Sequence, residues 1–159
     1  MLIGWCKQRR PIPAGGSGWN LEKEIPAELS LPRIPADAAE ILRVEAAVPR
    51  IGAEIGERTL PPEARLEPAI SYTKGCFVGQ EIVARLRSRG GVNRLLVRLR
   101  AERPLAVGAR VRRGDVVVGA VTSAVVSPAS GPLALAYVRT DAAEPGTELG
   151  VDDVRAFVA

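Results

Sequence analysis

Lys74, Gly75, Cys76 and Gly79 fall within one short stretch that continues as Gln80-Glu81-Ile82-Val83-Ala84-Arg85. Gly75 and Gly79 permit backbone angles that other residues resist. Gln80 to Leu86 contains no helix breaker, and Gly90-Gly91 follows as a stop. The spacing predicts Cys76 in a loop just ahead of a short helix, beside the cation of Lys74. A helix N-terminus and a neighbouring cation both favour thiolate over thiol. The chemistry on offer is that of a reactive thiol, and the plain alternative is a cysteine that only fills space. The chain has no histidine, which argues against a protease-like Cys–His nucleophile. Cys6 lies 70 residues upstream of Cys76. That separation predicts neither a disulfide framework nor a metal-ligand pair.

Several elements must position this stretch. Ala69 to Thr73 reads as a strand entering the Cys76 loop. A strand, a glycine-punctuated turn and a helix would then offer backbone N–H groups to an anion. The spacing does not match a nucleotide P-loop. Further upstream, Asp37-Ala38-Ala39-Glu40 has the spacing of a capping box, with Asp37 as N-cap. The helix it opens should run to about Ala47 and end at Pro49. Arg43 and Glu45 lie on it, where a surface ion pair would contribute little. Residues 50–70 read as loop, with one helical turn at Pro62-Glu63-Ala64-Arg65. Residues 1–36, broken by prolines and by Gly15-Gly16-Ser17-Gly18, leave room for little beyond a short strand.

From Val92 the period changes to two. Leu95, Val97 and Leu99 should face one side of a strand, with Arg94, Arg98 and Arg100 on the other. Further strands are expected at Ala109–Arg112, Val116–Val126 (bending at Gly119), Leu133–Val138, Thr147–Leu149 and Val154–Val158, with a tight reversal at Gly114-Asp115. Five or six short strands at this spacing suggest a small antiparallel barrel. Asp115 and Asp141 read as turn residues.

The chain has 159 residues, 47% hydrophobic and 25% charged, which is ordinary for a globular protein able to bury a core. With two each of Trp, Tyr and Phe, that core must be mostly aliphatic. No apolar run approaches the ~20 residues that cross a bilayer, so a membrane is not expected and a cytoplasmic setting is. The net charge of +4 allows an anionic partner. The arginines at 85, 87, 89, 94, 98 and 100 could hold phosphates, but a solvated face explains them as well. No aromatic residue is interleaved among them, so direct nucleic-acid binding is not expected.

The run Lys74-Gly75-Cys76-Phe77-Val78-Gly79-Gln80-Glu81, with Ala84-Arg85 and Arg89-Gly90 behind it, resembles the signature of the YgfZ folate-binding family. Those proteins are relatives of the glycine-cleavage T-protein (aminomethyltransferase) and are linked to iron–sulfur cluster assembly and repair. Leu42-Arg43-Val44-Glu45 resembles the family's Arg-x-Glu segment, and Pro61-Pro62-Glu63-Ala64 its Pro-x-Glu turn. Gly119 to Ser123 and Leu133 to Val138 resemble its barrel strands. The resemblance implies an α+β fold: part of a folate-binding α/β lobe in residues 1–91, then a small antiparallel β-barrel of T-protein C-terminal type in 92–159. It implies tetrahydrofolate or a derivative as cofactor. Glu45 would hydrogen-bond the pterin ring, with Arg43, Gln80, Glu81 and Arg85 joining the cofactor site. Cys76 would be the reactive thiol with Lys74 beside it, and no metal site is expected. A single thiolate cannot hold a cluster by itself. The family usually has glycine where this chain has Ala47, and its members are about twice as long. That implies a missing front lobe, which a partner chain could supply. The implied partners are folate and iron–sulfur proteins or their assembly machinery. Two alternatives stay open: a fragment of a tetrahydrofolate-dependent aminomethyltransferase, and a non-enzymatic binding half of a split protein.

Overall fold

A computed structural model describes residues 34–71, 75, 79–89 and 91–159; at 83 and 86–89 it describes the backbone alone. Six strands follow in order: β1 (Arg94–Ala101), β2 (Arg110–Arg113), β3 (Val116–Ser127), β4 (Gly131–Arg139), β5 (Glu148–Val151) and β6 (Val154–Val158). They close into an antiparallel barrel with neighbours β1-β4-β3-β2-β5-β6, and β6 returns to β1. The period-two reading of β1 holds. Leu95, Val97, Leu99 and Ala101 belong to the interior cluster, while Arg94 and Arg100 are exposed. Closure removes the unpaired edges that short strands would otherwise show to solvent. The narrow interior is filled by Val and Ala side chains, among them Val111, Val121, Ala134, Ala136 and Val138.

Strand β4 is buried along nearly its whole length, Leu133 to Val138. Its alternate residues serve two cores. Ala134, Ala136 and Val138 point into the barrel, whereas Leu133, Leu135 and Tyr137 join Leu96 and Val44 in a second cluster on the outside. That outer cluster lies under helix α1 (Ala36–Glu45). A continuous apolar run marks a strand covered on both faces.

Helix α1 begins two residues earlier than the capping box predicts. Pro35 is its N-cap and no side chain caps it; Asp37 sits in the first turn, where its charge still favours the helix N-terminus. The helix ends in a Schellman arrangement. Ala47 adopts φ 52°, its N–H donates to Val44 O at 3.0 Å, and Val48 N–H donates to Arg43 O at 2.9 Å. Ala47 therefore occupies a left-handed backbone position that favours glycine, and here alanine bears that strain.

Two other expectations change. Glu67–Ala69 is a short 3-10 turn, and Ile70 and Ser71 are not in a strand. Pro68 at the start of that turn fixes φ and withholds an N–H, which suits a turn better than a ladder. Tyr72 and Thr73 lie outside the described residues. Helix α2 spans Gln80–Arg89, a turn longer than read, and Gly79 with φ 87° precedes it. In β3 the pairing slips between Val121 and Ser123. This β-bulge sets Ser123, Val125 and Ser127 on the outer face beneath α1. No helix among the described residues is long and apolar enough to cross a membrane.

Candidate functional site

The Arg-x-Glu segment forms the last turn of α1 and lies against β3. Arg43 spends all five of its N–H groups on the protein. Nε and Nη2 reach the two oxygens of Glu40 at 2.9 and 2.7 Å. Nη1 reaches Val48 O at 2.6 Å and Glu54 Oε2 at 3.0 Å. The second Nη2 proton goes to Ser123 Oγ at 2.6 Å. Ser123 in turn donates to Glu54 Oε1 at 2.6 Å. The serine thus relays between cation and anion, accepting from one and donating to the other.

Glu54 is the hub of this network. Its side chain is fully buried. Besides Arg43 and Ser123 it accepts the Arg50 amide at 2.9 Å, and its own carbonyl accepts the Tyr137 hydroxyl at 2.9 Å. Burial pushes its carboxyl up, but hydrogen bonds from Ser123 and the Arg50 amide, with the charge of Arg43, outweigh that. The carboxyl is held below the ordinary glutamate range. Glu40 is also lowered, chiefly by its hydrogen bond from Arg43. The same hydrogen bond raises Arg43.

Glu45 points to the same outer face. Its Oε1 accepts the Ser127 hydroxyl, and Ser127 Oγ accepts the amides of Ala129 and Ser130 at 3.1 and 2.9 Å. Glu45 Oε2 has no hydrogen bond among the described residues. The Glu45 carbonyl accepts Arg98 Nη1 from β1. One oxygen is thus pinned to the barrel, and only the other is without a partner among the described residues. Glu63, of the Pro-x-Glu turn, pairs with Arg94 at 2.9 Å. Arg94 in turn stacks over the Tyr137 ring at 4.7 Å.

The remaining sequence candidates are placed as follows. Gln80, Glu81 and Arg85 stand on α2, with Glu81 and Arg85 exposed. Glu45 makes no hydrogen bond to α2 among the described residues. Lys74 and Cys76 lie outside the described residues. Arg43 and Glu45 are brought together on one wall, and no N–H of Arg43 is left over for a ligand in this arrangement. Sequence reasoning missed Glu54, Ser123 and Ser127. Ser123 and Ser127 carried a signal: polar residues at even spacing within an otherwise apolar, β-branched strand.

Residues 94–156 match the glycine cleavage T-protein C-terminal barrel domain family. The barrel is of T-protein C-terminal type. Similarity extends beyond it. The chain is 35% identical over 147 residues to an aminomethyltransferase of Cutibacterium acnes, covering 89% of this chain and 38% of that protein. It is 40% identical over 120 residues to an aminomethyltransferase of Streptomyces coelicolor, covering 71% and 32%. The crystal structure of the glycine cleavage system aminomethyltransferase T from Bartonella henselae matches with a TM-score of 0.69 at 28% identity, covering 76% of this chain and 36% of that one. The chain therefore spans about a third of the length of these T-protein relatives.

Proposed function

We propose that this chain belongs to a tetrahydrofolate-binding protein of aminomethyltransferase type and works in the cytoplasm. The observation that carries the reading is Glu45, held by Ser127 on a T-protein-type barrel with its second oxygen unengaged among the described residues. A carboxylate so placed accepts N–H bonds from a pterin ring, and such charge-assisted bonds are strong and directional. Tetrahydrofolate, when bound, supplies the nitrogen that receives a one-carbon unit. Arg43 and Glu54 act here as positioning residues, because they lock the end of α1 to β3 and thereby aim Glu45.

Titration calorimetry with tetrahydrofolate tests this. The protein should bind it, and Glu45→Gln should weaken binding about tenfold or more, as the loss of a charged acceptor implies. The amide keeps an acceptor for Ser127, so the melting temperature should stay nearly unchanged. Equal affinity of the two proteins, or no binding by either, would sink the proposal.

A second reading rests on Lys74-Gly75-Cys76-Phe77-Val78-Gly79-Gln80-Glu81. This signature favours a YgfZ-like role with iron–sulfur proteins or their assembly machinery as partners. In that role Cys76 would be a thiolate activated by Lys74 and the start of α2. Iodoacetamide should then alkylate Cys76 at least several-fold faster than a model thiol at pH 7. A rate at or below the model value rules the activated thiolate out.

A further inference from the structure

The last carbonyls of a helix need partners from outside its regular bonding. At the end of α1 the chain itself supplies three. Leu42 O accepts the Ala46 amide at 3.0 Å, Arg43 O the Val48 amide at 2.9 Å and Val44 O the Ala47 amide at 3.0 Å. The Glu45 carbonyl is the one left over, and Arg98 Nη1 on β1 takes it. A cation here also faces the negative pole of the helix dipole.

Glu45 is thereby held at two points and from two strands. Arg98 fixes its carbonyl to β1, and Ser127 fixes its Oε1 to β3. β4 lies between those strands, which therefore run about 10 Å apart. Without Arg98, the polar ties from the end of α1 to the barrel among the described residues would all run to β3, through Ser127 and Ser123. This second hold carries a cost. Arg98 Nε is buried and has no hydrogen-bond partner, the only such side-chain atom among the described residues. A buried N–H of a charged group left unpaired is destabilising, so stability alone does not account for an arginine at this position.

We infer that Arg98 is a positioning residue for Glu45. It fixes the Glu45 backbone on the β1 side, so that the carboxylate, hinged on Ser127, presents its second oxygen in one orientation. Arg98 itself touches no ligand. The tie to the Glu45 side chain stands on the structure, and its consequence for ligand affinity rests on the pterin-binding reading of Glu45.

The test is Arg98→Met, which keeps a long apolar stem and removes the guanidinium. It deletes one hydrogen bond and one buried unpaired N–H together, so the melting temperature should stay close to that of wild type. Three-bond NMR couplings from Glu45 Cγ to the residue's own amide nitrogen and carbonyl carbon report its χ1 angle. Wild type should show one staggered rotamer, Ser127→Ala an average, and Arg98→Met values shifted toward that average. In tetrahydrofolate titrations Arg98→Met should bind about fivefold more weakly or worse. Glu45→Gln made in the Arg98→Met background should then cost far less than it does in wild type, because both changes act through one carboxylate. A single Glu45 rotamer in Arg98→Met, additive losses of affinity, or a melting temperature lowered by roughly 10 °C or more would each overturn the assignment. If wild type binds no tetrahydrofolate, the pterin reading fails by itself and the couplings still decide whether Arg98 positions Glu45.

Discussion

Replacing Glu54 by alanine will destabilise the protein by about 3–5 kcal/mol, the cost of removing one member of a buried ion pair. For a domain of this size that lowers the melting temperature by roughly 10–20 °C. The reason is the partner left behind. Arg43 would lose its buried counter-charge, Ser123 its acceptor and the Arg50 amide its cap. Glu54→Gln should cost less, because the amide still accepts from Ser123. The pH dependence follows from the direction of the shift. The folded carboxyl lies below its unfolded value, so its stabilisation is fully present above the ordinary glutamate range and fades as pH falls through the folded value. Glu40 adds to the same acid loss. Thermal melts of wild type should therefore fall steeply below about pH 4.5, and those of Glu54→Gln more gently. Parallel curves would refute the role given to Glu54.

Gly119→Ala will prevent folding or cost about 4 kcal/mol or more, beyond the usual range for one substitution. A β-carbon at Gly119 would sit 1.9 Å from the Tyr137 carbonyl oxygen and 2.9 Å from both Tyr137 C and Val138 Cα. These are backbone atoms of the paired strand, so no rotamer change relieves the overlap. Gly131 supplies the control. Its φ is 73° but the space around it is open, so Gly131→Ala should cost about 1 kcal/mol through backbone strain alone. Soluble yield and circular dichroism separate the two outcomes. A well-folded Gly119→Ala protein would show that β3 and β4 do not approach as closely as described.

The barrel was legible because each strand combines β-branched residues, alternation and flanking Gly or Pro. Val154–Val158 was read to the residue, and β1 to within one. What failed was anything decided by tertiary contact. The capping box at Asp37 is a local signal, yet Pro35 already supplies the extended entry to α1. The strand expected from Ala69 rested on apolar composition, and Pro68 turned its start into a 3-10 turn. Glu54 looked like one more charge in a loop. Its burial depends on Ser123, nearly seventy positions away, and on a β-bulge that no period reveals. Arg43 and Glu45 were found by resemblance. Their division of labour, one holding the wall and the other leaving an oxygen open, is visible only in the hydrogen bonds.

The staves of the barrel are fastened unequally. β1 runs beside β4 from Arg94 to Arg100, but β6 meets β1 only from Leu99 to Ala101, and β5 meets β2 only at Val111 and Arg112. The β5–β6 hairpin is thus a door with two short hinges, whereas β4 is sealed under both cores. Transient opening should begin at that hairpin while the Glu45 wall stays shut, so the molecule can breathe without disturbing the face on which Glu45 and Ser127 meet.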